Sequence, residues 1–233
     1  MNVYCRNKKA AFAEYSPLAD GSSLLNVYDP MLELRADFLD ESVTVRGEYD
    51  NIAALDSLCL GYTNACRYRL ETREGEFAGK TSGLITIRDF VETVFTDWFV
   101  LELEGIEDPL YLGHLFLGMR TELPRFAVGP DAGLTLNSES SRSFGGQAFG
   151  MRRKTLRNFS ANFQRITSEE KEVIEEYVEA VLNIEPHVID PYPGARDKFP
   201  PMYATLNISE LPFSKLNENG FYYSGQLKWQ EAK

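Results

Sequence analysis

The chain has 233 residues, 43% hydrophobic and 25% charged, enough to bury one large core or, as preferred here, two smaller ones. Its formal net charge of −11 excludes nucleic acid as the expected partner, because phosphate binding rests on Lys and Arg. Cys5, Cys59 and Cys66 cannot all pair and form no metal-like cluster, no apolar run reaches the ~20 residues of a membrane span, and the basic N-terminus lacks the apolar core of a secretion signal; folding in a reducing cytoplasm is expected.

Before Ser23 the periodicity is weak, with Tyr4, Phe12 and Tyr15 among polar residues. An arm that orders on a partner and a terminal strand paired within the domain both fit. From Leu24 onward, short runs of strand character recur at Leu24 to Tyr28, Val43 to Tyr49, Leu55 to Leu60, Arg67 to Glu71, Leu84 to Arg88, Trp98 to Leu103 and Leu110 to Leu117. Seven short strands separated by Gly, Asp, Asn and Pro turns predict a β-sandwich. Val43 and Val45 alternate with Thr44 and Arg46, and Phe99, Leu101 and Leu103 alternate with Val100, Glu102 and Glu104, so one face of each run is wet.

The turn Leu60-Gly61-Tyr62-Thr63-Asn64-Ala65, the run from Trp98 to Leu103 and the run Leu112-Gly113-His114-Leu115-Phe116-Leu117-Gly118 occur in this order in galactose-binding-like jelly-roll domains. Residues 1–125 resemble such a domain. The resemblance implies that a ligand site, where there is one, lies on the loops at one end of the sandwich, here around Tyr62 and Asn64 and on the Arg73 to Lys80 hairpin.

From Leu123 to Gly150 the chain turns rich in Gly, Pro and Ser and poor in core residues, which makes 126–150 the expected junction. Beyond it, Phe159, Ala161 and Phe163 alternate with Asn158, Ser160, Asn162 and Gln164, the pattern of a strand buried on one face. Thr167 and Glu170 fit a capping box, so a helix starts there. Val173, Ile174, Tyr177, Val178, Val181 and Leu182 form its dry stripe, opposite Glu169, Glu172, Glu175, Glu176 and Glu179. Asn183 is the expected left-handed C-cap, with Pro186 barring continuation. After an extended, proline-rich stretch, alternating runs at Met202 to Ile208 and Phe221 to Trp229 close the chain. Strand, helix, strand, strand predicts an α+β unit with one long helix on an antiparallel sheet.

The order Phe-Ser-Ala-Asn-Phe, then Thr-Ser-Glu-Glu-Lys opening a helix, then an aspartate-proline loop and a closing aromatic strand, resembles the tail-tube-like domain of bacteriophage minor tail and tail-tip proteins. The likeness covers 151–233. With the front half it implies a mainly β structural component of a phage or prophage tail tip or baseplate, assembled in the bacterial cytoplasm with itself, a ring being one such assembly, or with other tail proteins. The rival expectation is an adhesin module whose sandwich binds a surface carbohydrate.

The chemistry-bearing residues favour neither catalysis nor a cofactor. His114 lies in an apolar strand, where a packed histidine is the plainer reading than a ligand, and His187 sits in a loop without a second ligand at metal spacing. Cys59 and Cys66 have no basic neighbour to activate them, and no nucleophile elbow, P-loop or dinucleotide fingerprint is present. Glu102, Glu104, Glu107 and Asp108 read as a solvated face and turn rather than a glycosidase pair. Arg152, Arg153, Lys154 and Arg157 read as an interface or solvated cluster, and with Glu172 and Glu176 they offer unlike patches for a head-to-tail contact between copies.

Overall fold

The computed structural model describes residues 1–29, 34–82, 84–105, 109–126, 131–135, 138–142, 148–152, 155–182, 185–208, 213–215, 221–224 and 226–232. In chain order the strands are β1 (Asn2–Asn7), β2 (Ala11–Tyr15), β3 (Ala36–Asp37), β4 (Ser42–Thr63), β5 (Ala65–Thr72), β6 (Glu76–Lys80), β7 (Ile85–Gly105) and β8 (Tyr111–Glu122). There follow β9 (Asp131–Thr135), β10 (Ser138–Arg142), β11 (Ala148–Arg152), β12 (Leu156–Ala161) and β13 (Gln164–Ile166), then helix α1 (Ser168–Val181). The last strands are β14 (His187–Asp190), β15 (Met202–Leu206), β16 (Phe213–Lys215), β17 (Tyr222–Ser224) and β18 (Leu227–Glu231). Two compact units result, one joining Asn2–Glu122 to His187–Met202, the other joining Leu123–Pro186 to Tyr203–Ala232. The segment from His187 to Met202, expected in the C-terminal domain, is thus part of the N-terminal unit.

The N-terminal unit is an antiparallel β structure with strands in the order β6-β5-β7-β4-β8-β1-β14, to which β2 adds beside β4 and β3 beside β8. Its first residues form paired strands rather than an arm: β1 runs between β8 and β14. The expected runs Val43 to Tyr49 and Leu55 to Leu60 fuse into the single 22-residue β4, and Leu84 to Arg88 with Trp98 to Leu103 fall within the 21-residue β7. These two long strands pair along most of their length, with the register shifting between Glu48 and Ala53 and again between Leu55 and Ser57. Bulges of this kind bend a strand without ending it. Val43 and Val45 from the first part of β4 then join Leu58 and Leu60 from the second in one core, together with Leu70, Phe99, Leu101, Leu103 and Leu115. The apolar area that such a core removes from water contributes roughly 1.5–3 kcal/mol for each large side chain, as an upper bound.

Leu24–Tyr28, expected as a strand, is a 3-10 helix. The Ser23 hydroxyl accepts from Leu25 N–H, and the three-residue period buries Leu24 and Val27 together. A close approach is required at Gly47, where a Cβ would run into the Phe99 ring paired across from it.

In the C-terminal unit β15, β18, β12 and β9 form an antiparallel sheet. Phe159, Leu227 and Trp229 are buried on one face, where the Trp229 indole N–H donates to the Tyr177 hydroxyl of α1 at 2.7 Å. The helix begins as expected, with the reciprocal Thr167 and Glu170 bonds of a capping box. It ends one residue earlier: Leu182, not Asn183, takes the left-handed C-cap (φ 43°), so its side chain leaves the dry stripe and is 66% exposed. Asn183 itself lies outside the described residues. The last alternating run is two strands rather than one, β17 pairing β13 and β16 in a small sheet while β18 joins the larger one. The expected junction at 126–150 carries β9, β10 and part of β11, with β10 and β11 paired as a hairpin. Among the described residues no helix is long and apolar enough to cross a membrane.

Candidate functional site

Strand alternation on β5 turns Arg67 and Arg69 outward while Tyr68 and Leu70 enter the core. The register sets Arg67 between Lys80 of β6 and Glu104 of β7, and Arg69 between Ala78 and Glu102. A surface trough of about 600 Å³ follows from this placement, lined by Arg67, Arg69, Ala78, Lys80, Glu102 and Glu104, with Tyr68 and Gly79 completing it. Gly79 is needed there: a Cβ at that position would stand 2.9 Å from the Tyr68 ring and hydroxyl.

Arg69 is the fixed centre of the trough. Its Nε and Nη2 meet the two oxygens of Glu76 at 2.8 and 2.9 Å, and its Nη1 donates to Glu102 at 3.3 Å. The hydrogen bonds from Arg69 hold the Glu76 carboxyl below the usual carboxylate range, and the two glutamates in turn hold the guanidinium protonated. Arg67 and Glu104 stand 4.0 Å apart beside it. The arrangement presents donors and acceptors side by side on a rigid sheet, with cations and anions in near balance. Glu102 and Glu104 are solvated as expected, their side chains 43% and 60% exposed, and they also line this trough, whereas Glu107 and Asp108 lie outside the described residues.

The loop residues expected to bind ligand have other tasks. Asn64 donates from Nδ2 to the Pro109 carbonyl at 3.0 Å and accepts at Oδ1 from Tyr111 N–H at 2.8 Å, so both ends of its amide fasten the approach to β8. Tyr62 is half-buried with a left-handed backbone (φ 54°), a conformation uncommon for a non-glycine residue, and its N–H donates to the Leu84 carbonyl at 2.6 Å. The pair forms a tight corner between β4 and β5. The Arg73 to Lys80 hairpin does reach the trough, through β6.

A second polar cluster was not anticipated. Arg196 donates from Nε to Asp190 and from Nη2 to Asp89, each at 2.6 Å; Tyr4 donates to the other Asp89 oxygen at 2.9 Å, and Arg120 stands 3.4 Å from that oxygen. Asp190 is fully buried, which raises its carboxyl above the ordinary value against the pull of Arg196. Both carboxylates are engaged by the guanidinium, so the cluster acts as a clamp that fastens the returning segment to β7. A groove of about 390 Å³ lies alongside, lined by Ser82, Thr86, Ile87, Arg196, Asp197 and Pro200 among others.

His187, expected in a loop, is buried in β14. His114 is buried as expected, and burial, aided by the charge of His187, lowers its pKa to about 4. Burial also raises the Cys59 thiol well above its ordinary value, so it packs as a small apolar group. Among the described residues no group of three His, Cys, Asp or Glu could hold a metal ion. Glu172 and Glu176 are exposed on α1. Of the basic cluster, Arg152 ends β11, Arg153 and Lys154 lie outside the described residues, and Arg157 pairs with Glu231 at 3.0 Å rather than standing in solvent.

No family model and no curated protein matches the chain. Solved structures resemble half of it. Chitosan-binding module 1 from a chitosanase/glucanase of Paenibacillus sp. IK-5 aligns over 50% of this chain and 97% of its own, at 12% identity and a TM-score of 0.40. The family 32 CBM of C. perfringens NanJ in complex with galactose aligns over 50% and 98%, at 7% identity and a TM-score of 0.42. A GH29 fucosidase of Ruminococcus gnavus in complex with fucose aligns over 52% of this chain, at 13% identity and a TM-score of 0.43, but over only 27% of its own length.

Proposed function

We propose that the chain is a non-catalytic carbohydrate-binding protein whose N-terminal β-sandwich recognises a glycan. The observation that carries the reading is the trough centred on Arg69. Three cations, Arg67, Arg69 and Lys80, face three anions, Glu76, Glu102 and Glu104, on adjacent strands. Such a surface has little net charge to draw an ion, yet it is dense in oriented donors and acceptors, and carbohydrate hydroxyls both donate and accept. A guanidinium held between two carboxylates is also pre-positioned, so little side-chain entropy is lost when a sugar docks. The trough falls in the size range of small-ligand sites. The test is a glycan array probed with the wild-type chain and with Glu102→Ala. Retention on a set of related glycans, weakened at least tenfold by the substitution, supports the reading; identical binding by both proteins, or none by the wild type, overturns it.

The structural reading, a phage or prophage tail component contacting itself or other tail proteins, is the second proposal. It is supported by the large apolar side chains at Val91 (98% exposed), Ile52 (63%) and Phe95 (50%), which offer area for protein contact, and by the exposed Glu172 and Glu176. Sedimentation distinguishes it: a ring or other closed oligomer, lost when Glu172 and Glu176 are reversed to lysine, favours assembly, and a monomer counts against it.

A further inference from the structure

The C-terminal unit has a trough of its own, about 420 Å³, on its four-stranded sheet, lined by the polar residues Asn158, Ser160, Asn207, Lys228 and Gln230 and bordered by Ala132, Gly133, Phe159 and Trp229. Register builds this surface in two rows. Gly133, Asn158, Gln230 and Thr205 lie side by side across β9, β12, β18 and β15. In the next row the register sets Ser160 between Asp131 of β9 and Lys228 of β18, and Asn207 follows, its N–H donating to the Lys228 carbonyl at 2.8 Å. The Gln226 amide donates to the Ser160 hydroxyl at 3.1 Å and orients it. Beneath, the Trp229 bond to Tyr177 keeps β18 fixed on the helix, so the rows above it sit on a firm base.

The composition of this face differs from the rest of the surface. A quarter of the chain is charged, yet among the described residues lining the trough Lys228 alone carries a charge. Amide and hydroxyl side chains can donate or accept toward the same hydroxyl, and they lose far less than charges do when a ligand displaces their water. A protein partner held at this spot would need an exposed apolar centre, and Phe159 and Trp229, which also border the trough, are only 4% and 1% exposed. A polyanion would find one cation in a chain of net charge −11. A neutral polyhydroxylated ligand meets both conditions.

We propose that this trough is a second glycan site, selective for uncharged sugar units and independent of the Arg69 trough. It shares with the proposed function the ligand class but none of the residues. A polysaccharide repeats its neutral units, so each site adds to its retention on the protein.

The experiment uses the full chain in affinity gel electrophoresis with galactomannan, xyloglucan and mixed-linkage β-glucan, and with a carboxymethylated form of each. Three proteins are compared with wild type: Asn158→Ala with Gln230→Ala, Ser160→Arg, and Arg69→Ala, each checked for an unchanged thermal midpoint. Both C-terminal variants are expected to weaken retardation by a neutral polysaccharide about tenfold, and their combination with Arg69→Ala to weaken it about a hundredfold. Wild-type retardation by both C-terminal variants, alongside loss in Arg69→Ala, overturns the second site and leaves the proposed function standing. Loss in the C-terminal variants alone supports the second site and sinks the Arg69 trough. Tighter retention by the carboxymethylated polymers, or a changed oligomeric state of the C-terminal variants without a change in retardation, overturns the inference as well.

Discussion

His114 shows how one buried side chain can set the acid limit of the N-terminal unit. It lies on β8 at 8% exposure, and desolvation together with His187 brings its pKa from 6.5 down to about 4. Between those two values the unfolded chain binds a proton that the folded chain refuses, so stability is complete above pH 6.5 and is lost as pH falls toward 4. The shift corresponds to about 3 kcal/mol at most. Asp190 works with the opposite sign: its carboxyl is raised by burial, so its contribution is present below the ordinary aspartate value and is lost as pH rises through the folded one. Urea denaturation at pH 7 and pH 4.5 should therefore show a drop in midpoint for wild type and a clearly smaller drop for His114→Gln. Equal drops in the two proteins would mean that the histidine is not held neutral. Sequence reading could place His114 in an apolar strand because its neighbours say so, but nothing local announces the Arg196 clamp, whose partner Asp89 is 107 residues away.

At the scale of elements, the sequence carries local signals and leaves register unmarked. The start of α1 was legible because a capping box is a four-residue event, complete in Thr167 and Glu170. Its end was misplaced by one residue because Leu182 and Asn183 can each take the left-handed position, and only the last carbonyl bond, Leu182 N–H to Val178, decides between them. The fusion of four expected runs into β4 and β7 was hidden because Tyr49 to Ala54 lacks alternation, and a bulge erases the period-2 pattern while the strand continues. Both troughs were out of reach for the same reason: they are made by cross-strand neighbours such as Arg69 with Glu102, or Asn158 with Gln230, and pairing across strands leaves no trace in spacing along the chain. The helix itself is tied to its sheet by the buried Trp229 and Tyr177 bond. Tyr177→Phe leaves an indole N–H buried without a partner and should cost about 1–3 kcal/mol, measured as a lower chemical-denaturation midpoint with unchanged slope. A loss below about 0.5 kcal/mol would show that water replaces the hydroxyl.

At the scale of the whole molecule, the chain uses two compact β-rich units to carry two surfaces of different chemistry, one charge-balanced and one nearly uncharged. A catalytic reading needs an activated nucleophile or an unengaged acid–base pair. In the Arg69 trough the lining carboxylates face arginines, and in the clamp Asp89 and Asp190 are held by Arg196. The proposed function asks of such surfaces only that they hold a polar ligand in place. The ligand proposed for the Arg69 trough is a glycan held by hydrogen bonds, and salt separates this from an ionic ligand. Titration of the best array glycan into the full chain at about 50 mM and about 500 mM salt, in wild type and in Arg69→Ala, is the direct measurement. A wild-type Kd that changes less than about twofold with salt is expected, together with a Kd weakened at least tenfold by Arg69→Ala at both salt concentrations. A steep loss of affinity with salt, or an Arg69→Ala protein that binds as tightly as wild type, would contradict the proposal.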